Sequence, residues 1–254
     1  MTKSFKSLSI FCTFLCLLSF IKLQEKKIKI YLIGDSTMAD KRVSEYPETG
    51  WGMPFHYFFN TDAVVDNRAM NGRSTRTFIA EGRWDAVMKE LQQGDYVFIQ
   101  FGHNDEVPTK RSYTPPKDFE ANLVKFVTDS KSKGAFPILI TPVSRRSFDA
   151  TGHIMDTHKQ YAELVRQAAA ETHTPLIDLD KESADLLNEW GVERSKDLFD
   201  YAAPGEHPNY PKGKEDNTHF NELGARKMAE IVLHDIQRLQ LPLAAYIVNA
   251  ASKK

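Results

Sequence analysis

After residue 26 the chain alternates short apolar runs with amphipathic stretches, and this alternation is the feature that most restricts its fold. Such runs are typical of strands buried on both faces of a parallel sheet, and the stretches between them are typical of covering helices. The predicted strands are residues 29–33, 63–66, 96–101, 136–141 and 176–178. The predicted helices are residues 54–60, 74–92, 117–133, 157–171 and 221–239. The sequence therefore predicts an α/β fold.

The composition indicates one globular domain with no strong overall charge. The 254 residues are 41% hydrophobic and 26% charged, which is ordinary for a globular domain and too apolar for a disordered chain. An α/β domain of this size buries enough surface to fold alone. With 33 Lys and Arg against 34 Asp and Glu, the net charge of −1 does not favour nucleic acid as a partner. We predict a single domain over residues 25–254; the sequence does not predict its oligomeric state.

The first residues have the layout of a secretory signal peptide. Two lysines precede an apolar stretch over residues 8–21, and the chain then turns polar. This stretch is shorter than the ~20 residues that cross a bilayer comfortably. We predict a signal peptide over residues 1–24, a secreted or periplasmic protein, and no stable membrane association after cleavage. Because no A-x-A cleavage site follows, an uncleaved anchor is the alternative. Both cysteines, Cys12 and Cys16, lie in this segment. The mature chain is therefore predicted to have no disulfide and no thiol nucleophile.

Polar residues follow the predicted strands at their carboxyl ends. In open α/β sheets the active site lies outside these ends. The segments that arrive there are residues 34–37, 67–74, 102–105 and 142–146, together with 216–219 just before the last helix. Residues 195–216 are weakly periodic and rich in Pro, Gly and His, so we predict a long surface loop there. Long ordered loops are commonly functional.

These segments carry the parts of a serine nucleophile site. A serine hydroxyl attacks an acyl carbon when an imidazole takes its proton, a carboxylate orients the imidazole and donors face the developing oxyanion. Ser36 lies on a predicted strand-to-helix turn, and the spacing of Asp216 and His219 lets a carboxylate and an imidazole share one face of a turn. Gly72 offers an unobstructed N–H, and Asn104 offers an amide donor. The G-x-S-x-G elbow of ordinary α/β hydrolases is absent.

In their order along the chain, these blocks resemble the SGNH (GDSL-type) hydrolase superfamily. The four blocks are Gly34-Asp35-Ser36, Gly72, Gly102-x-Asn104 and Asp216-x-x-His219, and the resemblance extends over the chain after the signal segment. Longer strings are similar to rhamnogalacturonan acetylesterases: residues 34–39, 50–52, 72–74, 101–105 and 216–219. The resemblance implies a three-layer α/β/α sandwich with a short parallel sheet.

Carried over residue by residue, the resemblance also implies catalytic roles. Ser36 is then the nucleophile, His219 the general base and acid, and Asp216 the group that orients the imidazole. The implied oxyanion hole consists of the N–H groups of Ser36 and Gly72 and the side chain of Asn104. No metal or other cofactor is implied. The implied substrate is an acetylated polysaccharide or oligosaccharide, with rhamnogalacturonan-type pectin first and another acetylated carbohydrate such as xylan as the alternative.

Each site residue also has a purely structural interpretation. A Gly-Asp-Ser turn commonly caps a helix, and Gly72 fits an ordinary turn with positive φ. Asp216 and His219 fit a helix cap and a surface imidazole. The joint occurrence of all four blocks at one sheet edge favours catalysis over these alternatives. Ser74 is a competing serine, but it starts a helical pattern and is predicted to cap it.

Two other classes of protein fit parts of the pattern. A metal-dependent phosphoesterase would use oxygen and nitrogen ligands like those at residues 34–35, 103–105 and 216–219. The chain lacks an Asp-x-His near the first strand and a His-x-His near its end, so the ligand count falls short. A non-catalytic carbohydrate-binding protein on a decayed hydrolase fold would have lost the nucleophile or the base, and neither is lost here.

Four residues are candidates for contacting substrate. Arg145 and Arg146 follow the fourth strand, where their forked donors suit the carboxylates of an acidic polysaccharide, although a plain surface pair is the alternative. Trp51 fits either stacking on a sugar ring or a place in the core. His103, beside Asn104, fits a substrate contact, a second base or a structural hydrogen bond, of which the last is favoured over the base.

Overall fold

A five-stranded parallel sheet forms the centre of the structure, a computed structural model that describes residues 27–248. The predicted signal peptide over residues 1–24 lies outside the described residues. The strands are β1 (Ile28–Gly34), β2 (Ala63–Asn67), β3 (Tyr96–Gln100), β4 (Phe136–Ile140) and β5 (Leu176–Ile177). Their spatial order is β2-β1-β3-β4-β5. The predicted strands are thus confirmed, with small shifts at their ends.

Helices cover both faces of the sheet. In chain order they are α1 (Gly52–Phe55), α2 (Thr75–Ala80), α3 (Arg83–Glu90), α4 (Pro116–Ser132), α5 (Lys159–Glu171), α6 (Leu179–Arg194) and α7 (Glu222–Arg238). One apolar core joins the sheet to α2, α3, α4 and α5, and a second core joins it to α1, α6 and α7. The predicted three-layer α/β/α sandwich is confirmed.

The two cores take alternate residues of the central strands. Ile30 and Leu32 of β1 belong to one core, while Tyr31 and Ile33 belong to the other, and all four side chains are fully buried. Successive side chains of a strand point to opposite faces of its sheet. A strand covered on both faces is therefore a continuous apolar run, which is why its sequence pattern is so clear.

Several predicted helices have different bounds. The predicted helix over residues 74–92 is two helices, because Gly82 adopts φ 68° and ends the first one. The predicted helix over residues 54–60 is the single turn of α1 followed by a 3-10 turn, His56–Phe58. Helix α6 was not predicted, since its buried positions include Asp180 and Ser183, which weaken the apolar stripe. None of the helices formed by residues 27–248 combines the length and apolarity needed to cross a bilayer.

The predicted long loop over residues 195–216 is wrong for half of its length and right for residues 203–213. A 3-10 turn, Ser195–Leu198, leads into β6 (Phe199–Ala202), which pairs with β7 (Lys214–Phe220) as an antiparallel ribbon. Only residues 203–213 connect the two strands. Both strands contain several charged or polar residues, so periodicity did not reveal them. The ribbon matters because Asp216 and His219 belong to β7.

Candidate active site

The turn that carries Ser36 directly follows β1 and is held by bonds within itself. Asp35 Oδ1 accepts hydrogen bonds from the backbone N–H of Thr37, at 3.0 Å, and from its hydroxyl, at 2.9 Å. A Cβ atom at Gly34 would lie 2.6 Å from the carbonyl oxygen of Gln100 on β3. Because this distance is a steric clash, only glycine fits at this position. These contacts place Ser36 at the carboxyl edge of the sheet.

Ser36, His219 and Asp216 form one chain of hydrogen bonds. Ser36 Oγ lies 2.9 Å from His219 Nε2, and His219 Nδ1 lies 2.8 Å from Asp216 Oδ2. The bond at Nδ1 selects the tautomer in which Nε2 is free to accept the serine proton. The structure therefore brings together the three residues that the sequence predicted as a triad, across 183 residues of chain between Ser36 and His219.

The Asp216 carboxylate is stabilised in its charged form. Its other oxygen, Oδ1, accepts the N–H groups of Thr218, at 2.8 Å, and His219, at 2.9 Å. Burial alone would raise the pKa of Asp216, but the hydrogen bond and charge of His219 and these two N–H groups together lower that pKa far below its ordinary value. Asp216 therefore stays ionised while it orients the imidazole.

The Asp216–His219 segment is a bulge in the ribbon. Phe199 of β6 pairs with Phe220 of β7, and Tyr201 pairs with Glu215, so residues 216–219 lie opposite a single residue of β6. A bulge of this kind breaks the ladder and re-aims side chains. It turns the imidazole and carboxylate out of the ribbon and toward Ser36.

Arg146 anchors this bulge. Its N–H donates to the carbonyl of Asn217 at 2.9 Å, and its Nη1 donates to Asn217 Oδ1 at 2.8 Å. Its Nε donates to Ser195 Oγ at 3.0 Å, and its Nη2 donates to the carbonyl of Val192. Arg146 is buried. Neither predicted role, a grip on substrate or a plain surface pair, fits a buried guanidinium whose donors are already used.

Two lysines link the base to the nucleophile through Glu48. Lys214 Nζ lies 2.9 Å from Glu48 Oε2, 2.5 Å from Asp200 Oδ2 and 3.8 Å from Asp216 Oδ2. Lys41 Nζ lies 2.8 Å from Glu48 Oε1 and donates to the Ser36 carbonyl at 2.6 Å. Burial alone would raise the pKa of Glu48, but the Lys41 charge and the hydrogen bonds from both lysines lower it below its ordinary value. The network is continuous between the two halves of the triad, and its central carboxylate, Glu48, is ionised.

The loop with Gly72 lies against the Ser36 turn. Lys41 Nζ also donates to Asn71 Oδ1 at 2.8 Å, and the N–H of Met70 donates to the Gly34 carbonyl at 3.0 Å. Gly72 adopts φ 76°, is exposed, and has no atom within 4 Å of the position of a Cβ. Its left-handed backbone is the condition that favours glycine there.

Asn104 joins this loop from the end of β3. Its Nδ2 donates to the carbonyl of Arg73 at 3.1 Å, and its Oδ1 accepts Lys110 Nζ at 3.1 Å. The lysine fixes which way the amide faces, because an ammonium group can only donate. Asp105, next in the chain, accepts the N–H of Thr75 at 2.9 Å and its hydroxyl at 2.7 Å, which ties the Asn104 loop to the start of α2. Burial raises the pKa of Asp105 to about 7.

The acidic side chains beside the triad could in principle hold a metal. Glu48, Asp216 and His219 each place one ligand atom within 4.8 Å of the others. Both Glu48 oxygens already bind lysine ammonium groups, and both His219 nitrogens are hydrogen-bonded. A cation would have to displace these partners, so the donor set fits an internal ionic network better than a metal site.

Two of the remaining candidates lie in the core or cap a helix. Ser74 is fully buried, and its hydroxyl accepts the N–H of Thr77, which confirms it as the cap of α2. Trp51 is 0% exposed and donates from Nε1 to Gln100 Oε1 at 2.8 Å. Its ring offers no face to a sugar, so the structure favours the core interpretation of Trp51.

His103 and Arg145 form a cluster behind Asn104. The His103 ring is buried and packs against His158 with ring centroids 4.4 Å apart, and neither ring nitrogen has a hydrogen-bond partner among residues 27–248. Burial lowers the pKa of His103 well below its ordinary value, so the ring is neutral. Arg145 pairs with Glu106 and is one-quarter exposed. The predicted structural hydrogen bond of His103 is wrong, and the buried ring cannot contact substrate.

Sequence reasoning missed the charged residues that hold the site together. They are Lys41, Glu48, Lys110, Arg146 in its buried role, and Lys214. No sequence signal marks them, because isolated charged residues are ordinarily solvated and their partners lie far away in the chain.

Comparison with known proteins identifies the family. Residues 32–227 match the GDSL-like Lipase/Acylhydrolase family. The chain is 41% identical to the rhamnogalacturonan acetylesterase RhgT of Bacillus subtilis strain 168, over 91% of this chain and 99% of that protein. It is 35% identical to YesY, a probable rhamnogalacturonan acetylesterase of the same organism, over 87% of this chain and 97% of that one.

Solved structures agree with the family. The crystal structure of YxiM from Bacillus subtilis has a TM-score of 0.74 and 27% identity, over 85% of this chain and 58% of that one. A variant of Axe2, an acetyl-xylooligosaccharide esterase from Geobacillus stearothermophilus, has a TM-score of 0.61 and 22% identity, over 82% and 94% of the two chains, which shows the shared fold. The chain belongs to the GDSL-like lipase/acylhydrolase family and is a serine hydrolase that acts on ester bonds.

Proposed function

We propose that the protein is a carbohydrate acetylesterase that removes O-acetyl groups from rhamnogalacturonan-type pectin. The observation that carries the proposal is the hydrogen-bonded chain from Ser36 through His219 to Asp216, at 2.9 and 2.8 Å. The 41% identity to a rhamnogalacturonan acetylesterase over nearly the whole of both chains supports the substrate.

The first chemical step forms an acyl-enzyme. Ser36 Oγ attacks the acetyl carbonyl carbon while His219 Nε2 takes the hydroxyl proton. Asp216, ionised throughout, keeps Nδ1 protonated and stabilises the imidazolium that forms. The imidazolium then gives its proton to the sugar oxygen as the ester bond breaks, and the deacetylated alcohol leaves.

Water completes the cycle by the same route. His219 removes a proton from water as its oxygen attacks the acetyl-Ser36 carbonyl, and the imidazolium then returns this proton to Ser36 Oγ as acetate leaves. In both steps the oxyanion is held by the N–H groups of Ser36 and Gly72 and by Asn104 Nδ2. Each donor of this kind is worth roughly 2.7–4 kcal/mol in mutational terms. Lys110, bound to Asn104 Oδ1, acts on this step as a positioning residue.

A short acyl group on a polar polymer suits the surroundings of Ser36. The side chains that bond to its turn and to the neighbouring loops are polar or charged: Lys41, Asn71, Asn104 and Lys110. Carbohydrates are recognised through such hydrogen-bonding groups, whereas a long acyl chain needs an apolar groove.

Acetate release tests the proposal directly. The purified protein should release acetate from acetylated rhamnogalacturonan with a higher kcat/KM than from acetylated xylan, and it should hydrolyse long-chain aryl esters poorly. Preference for xylan would overturn the pectin substrate and leave a carbohydrate acetylesterase. Preference for long-chain esters, with no acetate released from any polysaccharide, would overturn the carbohydrate assignment as well.

We also propose that the protein works outside the cytoplasm. The lysines and apolar stretch at the start of the chain support export, and a polymer substrate requires it. N-terminal sequencing of protein from the native host should find a start within a few residues of Gln24. An intact Met1 on protein in the cytosolic fraction would refute export.

A further inference from the structure

We infer that a basic pocket beside Gly72 and Asn104 binds a uronic acid carboxylate of the acetylated polymer. This inference rests on the proposed function and names the residues that select its substrate. The basic pocket has a volume of about 450 Å³, within the range of ligand sites. Its lining residues are Gly72, Arg73, Arg76, Thr77, Glu81, Lys110, Arg111 and Ser112.

The pocket shares its wall with the oxyanion side of the active site. Gly72 lines it directly, and the carbonyl of Arg73, another lining residue, accepts Asn104 Nδ2 at 3.1 Å. Lys110, on the same loop as Asn104 between β3 and α4, reaches Asn104 Oδ1 at 3.1 Å. A polymer whose acetyl group is bound against Gly72 and Asn104 therefore passes beside the pocket.

Positive charge in the pocket is left largely unpaired. Its one carboxylate, Glu81, is already bound by Arg73, at 3.1 Å, and by Arg83, at 2.6 Å. The other cationic groups of the pocket have no acidic partner among residues 27–248: Arg76, Lys110 and Arg111. Cations grouped without counter-charges attract an anion.

Arg111 is the group best placed to bind a ligand. Its side chain is exposed and makes no hydrogen bond or ion pair within the described part of the chain. Arg76 supports the loop beneath it, since its guanidinium donates to the backbone carbonyls of Arg111 and, at 3.0 Å, Tyr113. A forked guanidinium matches a planar carboxylate with two parallel hydrogen bonds.

The basic pocket takes over the carboxylate-binding role that the sequence suggested for Arg145 and Arg146. Arg145 is neutralised by Glu106, and Arg146 is buried with its donors bound to Ser195, Asn217 and other groups. Neither guanidinium is free for a second anion. The charge complementary to pectin thus lies after β2 and β3, on the oxyanion side of Ser36.

Matched substrates test the inference without any mutation. Acetylated rhamnogalacturonan oligosaccharides with free carboxylates should be compared with the same oligosaccharides after methyl esterification of the uronic acids. We expect KM to rise by about tenfold on esterification, the effect of losing one charge-assisted hydrogen bond of ordinary strength. The difference should shrink in high salt, which screens an exposed charge pair.

Variants then locate the anion site. Arg111→Ala should abolish most of the difference between the free-acid and esterified substrates, and Arg111→Lys should retain part of it. The matched control is Lys133→Ala, which removes an exposed positive charge just before β4, at the amino ends of the strands. This variant should preserve the difference in KM between the free-acid and esterified substrates. A merely structural role of Arg111 would lower kcat/KM on both oligosaccharides and on an aryl acetate alike.

The outcomes separate this inference from the proposed function. Equal KM for both substrates in the wild type, with acetate still released from each, would overturn the pocket and leave the acetylesterase intact. A persistent difference in Arg111→Ala would also overturn the pocket assignment. Failure to release acetate from any acetylated polysaccharide would instead overturn the proposed function.

Discussion

The two halves of the triad are positioned by different kinds of contact. Ser36 is held by its own turn, in which Asp35 binds Thr37 two residues away, and by the buried strand that precedes it. The Asp216–His219 bulge is held by Arg146, 71 residues away from Asn217, and by Lys214, whose partner Glu48 is 166 residues away. The nucleophile is set by local structure, whereas the base is set by charged contacts between distant parts of the chain.

This difference implies different sensitivities. A turn held by hydrogen bonds between its own residues tolerates changes elsewhere in the protein. A bulge held by partly buried charged side chains is more sensitive, because removing one partner leaves an uncompensated charge or an unpaired polar group. The network from Lys41 through Glu48 to Lys214 also connects the two halves of the triad. A substitution that displaces the Asp216–His219 bulge should therefore also affect the position of Ser36.

The largest effects should follow removal of the reacting groups. Ser36→Ala and His219→Ala should each lower kcat on an aryl acetate by roughly 10⁴–10⁶-fold, because triad members act as a unit. Ser74→Ala is the matched serine control: it should retain activity while losing about 1 kcal/mol of unfolding free energy through the lost cap of α2. Near-wild-type turnover by Ser36→Ala would contradict the proposed role of Ser36 as the nucleophile.

The next largest effect should come from Asp216→Asn, which by selecting the wrong tautomer should lower kcat by about 10²–10⁴-fold. In the wild type, Asp216 should contribute nothing to the acid limb of the pH profile. Because the pKa of Asp216 is lowered far below its ordinary value, the carboxylate should add no second proton to that limb. A pH profile of kcat/KM with a two-proton acid limb would contradict this expectation.

Removing a charged side chain from the β6–β7 ribbon, which carries Asp216 and His219, should lower the unfolding free energy of the protein. Lys214→Met leaves Asp200 and Glu48 without a shared ammonium, so we expect a loss of about 3–5 kcal/mol in unfolding free energy, with a fall in kcat on an aryl acetate. The control is Lys196→Met, an exposed lysine paired with Glu193, for which a loss of about 0–1 kcal/mol is expected. Equal losses, measured by denaturant unfolding, would show that the network does not hold the bulge.

The smallest effect should be that of a chelator. Since lysines occupy both oxygens of Glu48 and His219 is bound at both nitrogens, incubation with EDTA should leave kcat/KM on an aryl acetate unchanged. A serine-directed organophosphate should abolish activity in the same assay. Loss of activity with EDTA and recovery with a divalent ion would favour metal-assisted chemistry at the Glu48 cluster.

Much of the fold could be read from the chain itself. The central strands are buried on both faces, so their apolar runs stand out, and the catalytic blocks lie at the strand ends where a parallel sheet collects them. Ser36 and Ser74 could be told apart because the caps and turns that distinguish them are made by residues nearby in sequence.

Other features were decided only by tertiary structure. The apolar pattern did not reveal the β6–β7 ribbon, since β6 is short and β7 consists mostly of polar and charged residues. Nothing local marks residues 216–219 as a bulge. Arg145 and Arg146 look alike in sequence, but one pairs with Glu106 while the other is buried because separate elements supply its acceptors. Apolar periodicity predicts which residues of one helix or strand are buried. Whether a charged side chain is buried depends on its partners, and these come close to it only when the chain folds.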